Sequence, residues 1–200
     1  MIELEVAVAL PLDRTKSGEL TLKDKNGVVI AGPFDALGKS DNAKAALEGN
    51  QSRDPTKPYG DTPEGEYSVP RIEDTGDGTV YSKRSYGPHA AIVLNPTSGD
   101  ALTAKNRGRT GLLIHSGAPG ASGKLRATHG CIRLSDEDMA SLLQAIDQAG
   151  DDEKQLICKA VRISVVVGKP VDEGAGNDES DPPPNILDLL IPRSIGRPLP

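Results

Sequence analysis

The stretch ELTLKDKNGVVIAGPF, residues 19–34, alternates apolar and polar positions on either side of Asn26 and Gly27. That dipeptide suits a tight two-residue turn, and period-two alternation gives each arm one face to bury, so the stretch predicts a β-hairpin. Working outward, residues 35–61 dissolve into Gly, Ser, Asn, Asp and Pro, apart from a short helix expected at 43–48, and read as a long surface excursion. Runs at 65–74, 79–87, 90–96 and 111–117 are short and separated by turn residues, which predicts several antiparallel strands. A helix is expected from Ser135: a cap hydroxyl is followed three residues on by Asp138, and Met139, Leu142, Leu143 and Ile146 then share a face up to Gly150. The run 156–168, rich in β-branched residues and containing Cys158, reads as a largely buried strand.

The fold class is therefore mostly β. With 22 Gly, 16 Pro and only 2% aromatic residues, the core has to be built from Val, Ile, Leu and Ala. Two hundred residues suffice for one sizeable domain, assigned to residues 1–170. Residues 171–200 form an acidic, proline-rich tail. The apolar segment at 185–196 within that tail either packs on its own domain or docks into a groove on a partner protein. The balance of 23 basic against 29 acidic residues, net −6, and the lack of a basic cluster argue against nucleic acid as a partner. The first twenty residues lack the features of a secretory leader, and no apolar run reaches membrane-spanning length, so the chain reads as soluble, with no membrane insertion. Two cysteines are too few for a disulfide scaffold and leave the redox compartment open.

The chemistry concentrates in ATHGCIRL, residues 127–134. A cysteine attacks as its thiolate and needs a nearby base or positive potential. Cys131 has His129 two positions before it, Arg133 two after, and His115 at the end of GLLIH upstream. Gly130 lets the backbone approach closely, so that amides around Cys131 can face a developing oxyanion. Two other readings compete. Cys131 is a buried apolar thiol, as Cys158 is expected to be, or His115, His129 and Cys131 supply three ligands of a catalytic zinc site, although paired short ligand spacings are absent. His89 reads as a loop histidine, and Arg133 and the acids after Ser135 as surface and helix-start residues.

IHSG at 114–117 followed by THGCIRL at 128–134 and a capped helix resembles the signature of the L,D-transpeptidases, the YkuD-like catalytic domain. GDTPEGEYSV at 60–69 is similar to that family's segment leading into the catalytic region. The resemblance spans roughly residues 19–168. It implies a β-sandwich or barrel with a helix after the catalytic HGC turn. It implies Cys131 as nucleophile, His115 as general base and the Ser116 carbonyl as the group orienting the imidazole. It places His129 and Gly130 in the turn that shapes the oxyanion hole with the Cys131 amide, with Thr128 lining that turn and Arg133 supporting the site or its acyl substrate. The implied substrate is a peptidoglycan tetrapeptide stem, cleaved through a thioester with no metal or organic cofactor. An amine acceptor gives crosslinking or D-amino-acid exchange, and water gives L,D-carboxypeptidase cleavage. The site of action is then the periplasm or cell wall, reached by a trimmed leader, another export route, or injection as an antibacterial effector. A cell-wall-binding protein without activity is the remaining alternative.

Overall fold

Over Ile2–Pro11 (β1) every second side chain, Leu4, Val6, Val8 and Leu10, is apolar and buried, so this strand has one face to hide and belongs inside a sheet. The computed structural model describes residues 2–76, 78–120, 122–149 and 154–163. The expected helix stop at Gly150, the strand extension over 164–168 and the tail at 171–200 lie outside these residues.

β1 is flanked on one side by β2 (Gly18–Asp24) and on the other by β10 (Lys154–Ile163). The hairpin expected at 19–34 forms from β2 and β3 (Val29–Ala36). Its loop is longer than two residues, because Asp24 N–H bonds the Val28 carbonyl at 3.0 Å and the Asp24 carboxylate collects the Asn26 and Val28 amides. Gly27, at φ +79°, supplies the left-handed step that a three-residue loop requires.

Between the hairpin and the second half of the chain lie α1 (Asn42–Leu47), β4 (Gly65–Ser68), β5 (Ile72–Asp74) and α2 (Lys83–Tyr86). Then follow β6 (Ala90–Val93), β7 (Asn95–Pro96), α3 (Gly99–Asn106), β8 (Leu113–His115), β9 (Ile132–Arg133) and α4 (Asp136–Gln148). The strands form two mixed sheets, one in the order β3-β2-β1-β10-β4-β7 and one in the order β5-β6-β8-β9. The runs expected as single strands at 65–74 and 90–96 each break and continue in the other sheet. The expected antiparallel pairing appears at β5 with β6, β6 with β8 and β4 with β7, whereas β1 with β10 and β8 with β9 are parallel.

A further correction concerns residues 79–87, expected as a strand. Thr79 Oγ1 bonds the Gly76 and Tyr81 carbonyls, so local turn bonds replace a ladder, and the segment ends in the single helical turn α2. Residues 35–61 are not a surface excursion throughout: Ala36, Leu37, Lys39, Ser40 and Ala45 are buried.

One core joins the two sheets. Leu4, Val6, Val8, Leu20, Leu22, Tyr67 and Cys158 of the larger sheet meet Ile92, Ile114 and Ile132 of the smaller one, and α4 adds Met139, Leu142 and Ile146. α4 starts where expected, with Ser135 Oγ accepting the Asp138 amide at 3.0 Å. Three acids in its first turn complement the helix dipole. Cys158 is wholly buried in β10.

Candidate active site

β8 and β9 run side by side in parallel, with Ile114 opposite Ile132 and His115 opposite Arg133. Strand alternation sends Ile114 and Ile132 into the main core and turns Leu113, His115, Cys131 and Arg133 to the other face. There Leu113 and Cys131 form a small apolar cluster with Tyr81 and Ala91. The fifteen residues between His115 and Cys131 in sequence are thus looped out, and the strand pairing sets His115 opposite Arg133, two positions after Cys131.

His115 is buried, with its ring 5.0 Å from that of Tyr86. Its Nδ1 lies 2.6 Å from the Ser116 carbonyl. A carbonyl only accepts, so Nδ1 carries the proton and Nε2 is left as the basic nitrogen. Burial first, then the neighbouring Arg133 cation, pushes the His115 pKa down to about 3, against the opposing pull of the Ser116 carbonyl. Burial likewise raises the Cys131 thiol above its ordinary value, partly offset by the Leu113 backbone and the Arg109 and Arg133 cations. Its Sγ faces the Gly111 carbonyl at 3.6 Å. At neutral pH the pair is therefore thiol and neutral imidazole rather than thiolate and imidazolium.

The turn ahead of Cys131 is held from both ends. Thr128 Oγ1 accepts the Gly130 amide at 3.0 Å and donates to the Cys131 carbonyl at 3.1 Å. Beneath it, Thr62 Oγ1 donates to the Gly130 carbonyl at 2.9 Å. Gly130 has φ +102°, and a Cβ there would meet Arg109 Nη2 at 2.0 Å and the Gly60 carbonyl at 2.1 Å, so the close approach requires glycine.

A family model for the L,D-transpeptidase catalytic domain, YkuD, matches residues 13–174. The chain belongs to this family. Membership carries L,D-transpeptidase-type activity on peptidoglycan, and with it a site of action at the cell wall. No curated protein matches the chain. Among the described residues no helix is long and apolar enough to cross a membrane.

Within this transpeptidase domain Ser116 and Arg133 join His115. The Ser116 carbonyl accepts from Arg133 Nη2 at 3.1 Å as well as from the imidazole, and the same Nη2 reaches the Ser85 carbonyl at 2.9 Å. Arg133 is 2% exposed. The His129 ring lies edge-on to that of Tyr59 at 5.4 Å, and its pKa is lowered, mainly by burial and then by Lys44. His89 is exposed ahead of β6. Among the described residues no three His, Cys, Asp or Glu side chains are placed to hold a metal ion. The alternative trio of His115, His129 and Cys131 is accordingly not brought together as a zinc site.

Three parts of the surroundings escaped sequence reasoning. Arg109, 4% exposed, donates to the carbonyls of Pro55, Gly60 and Asp61 and reaches that of Gly130 at 3.5 Å. In KNRGRTG it carries no sign of burial. Asp61 Oδ1 accepts the Ser40 amide at 2.8 Å, and Ser40 in turn bridges to Thr128 and His129. Tyr59 sits at φ +56°, an uncommon backbone state for a residue with a bulky side chain, and presents its ring to His129. Asp61 and Thr62 both lie in GDTPEGEYSV, the segment that already resembled the family, although neither residue stood out within it.

Proposed function

We propose that the protein acts on peptidoglycan tetrapeptide stems as a cysteine acyltransferase, with Cys131 as nucleophile and His115 as general base. The observation that carries this reading is the Nδ1 contact of His115 with the Ser116 carbonyl, which leaves Nε2 basic on the face that bears Cys131. The Cys131 proton passes to Nε2 as Sγ attacks the carbonyl carbon at the L-centre of meso-diaminopimelate. The carbon–nitrogen bond to the terminal D-alanine breaks, the leaving amine takes the proton back from His115, and a thioester remains. An amine of a neighbouring stem or a free D-amino acid then attacks the thioester and restores the thiol.

Burial of both groups favours proton transfer at the moment of attack over a standing ion pair. Thr128 and Arg133 support the site rather than touch the acyl group: the first ties the turn and the second holds the carbonyl that orients His115.

The test is mass spectrometry of purified tetrapeptide muropeptides incubated with the protein and with Cys131→Ala, with and without an added D-amino acid. Loss or replacement of the terminal D-alanine that requires Cys131 is the expected result. Tripeptide as the sole product would make the enzyme an L,D-carboxypeptidase, and equal turnover by Cys131→Ala would overturn the thioester route.

A further inference from the structure

We infer that Thr62 and Arg109 are positioning residues that aim the Cys131 N–H at the oxyanion of the acyl-transfer step. This rests on the reading of Cys131 as the nucleophile and adds the part of the structure that would orient its electrostatic partner.

In a planar trans peptide the carbonyl of one residue and the N–H of the next point in opposite directions. The Gly130 carbonyl is fixed on the inner side, by Thr62 Oγ1 at 2.9 Å and Arg109 Nη2 at 3.5 Å. The N–H of Cys131, in the same peptide unit, is thereby turned the other way. The neighbouring Gly130 amide is already committed to Thr128 Oγ1 at 3.0 Å, so Cys131 supplies the amide this turn offers next to the thiol. An oxyanion donor is effective only if its direction is fixed before reaction.

Both supports are themselves rigid. Thr62 is 1% exposed, and its own amide bonds the Gly38 carbonyl at 2.9 Å. Arg109 is tied by its two terminal nitrogens to the 55–61 loop, with Gly60 at 2.7 Å and Asp61 at 2.9 Å. That loop is anchored separately by the Asp61 carboxylate, which receives Arg53 Nε at 3.1 Å. The guanidinium is thus held in one pose under the turn.

Acylation and alkylation of one thiol separate this role from general support. Attack on a stem peptide develops an oxyanion; displacement of iodide from iodoacetamide does not. Thr62→Val keeps the shape of the side chain and removes the hydroxyl. The expected result is a fall of about tenfold or more in kcat for D-alanine release, with KM and the iodoacetamide rate at Cys131 unchanged. Thr62→Ser restores kcat to within about twofold of wild type, because the hydroxyl returns. If Thr62→Val lowers the thermal transition too far to assay, Arg109→Lys, which keeps the charge and loses the fork, takes its place with the same expected split.

An unchanged kcat, or equal losses in acylation and alkylation, would overturn the proposal. Wild-type turnover that survives Cys131→Ala would instead sink the nucleophile assignment beneath it, a distinct outcome read from a different variant.

Discussion

His115 and Arg133 are register partners across β8 and β9, and both donate to a single oxygen, the carbonyl of Ser116. The arrangement orients the imidazole and at the same time places a cation beside it, which disfavours its protonation. The base is kept neutral and aimed by the same few atoms.

From this follows the acid limb of the rate profile. With His115 at about 3, kcat/KM stays flat from neutral pH to below about pH 5. Arg133→Gln removes the cation and moves the limb upward, towards the ordinary imidazole value, whereas Arg133→Lys keeps the charge and leaves it low. A pH–rate series on the three proteins checks this; identical limbs in wild type and Arg133→Gln would exclude Arg133 as a cause.

Folding stability carries the same signature. His115 has a folded pKa below its unfolded value of 6.5, so its contribution is complete above pH 6.5 and is lost as the pH falls from there towards 3. Urea midpoints should therefore decline across that window, and more steeply in wild type than in His115→Asn.

The thiol predicts the opposite limb. Burial holds Cys131 above the ordinary thiol value of 9.0, so alkylation of the free enzyme by iodoacetamide should be slow at neutral pH and have its midpoint above 9.0. A plateau reached below pH 8 would indicate a standing thiolate and contradict the neutral pair.

Gly130→Ala should abolish turnover. The new Cβ meets Arg109 and Gly60 at about 2 Å on a left-handed backbone, so the turn has to move. Gly123→Ala, at φ +74° with open space around it, is the control: it should cost on the order of 1 kcal/mol in stability with activity retained. Melting curves and D-alanine release measured together distinguish the two.

Cys158 offers a test of the structural thiol. It is fully buried opposite Val6 and Tyr67, and burial raises its pKa to about 12. Cys158→Ser should lower stability by about 1–3 kcal/mol through a buried hydroxyl without a designed partner, leaving kcat intact.

The sequence reveals elements whose signal is local. The hairpin at 19–34 and the helix after Ser135 follow from period and capping, and both form. β1 has an equally clean alternation, Leu4 to Leu10, but its parallel partner lies at the far end of the chain and no local pattern names it. α3 buries only Ala101 and Ala104, so it offers no apolar stripe to detect. At the site, the residues inside IHSG and THGCIRL are legible because they sit in contiguous motifs. Arg109 is not, since its burial depends on carbonyls of Pro55, Gly60 and Asp61 that a loop arginine gives no hint of meeting.

The pairing of β1 with β10 also governs when the protein acquires its structure. The two strands lie side by side within the larger sheet, yet Leu4 and its partner Leu156 are separated in sequence by nearly all of the described residues. A growing chain therefore holds β1 with one edge unsatisfied until β10 has been made. Closure of the sheet waits for β10, so folding is a slow event of high contact order. Nascent chains stopped before residue 154 should remain sensitive to protease, and full-length chains should gain resistance in a single step.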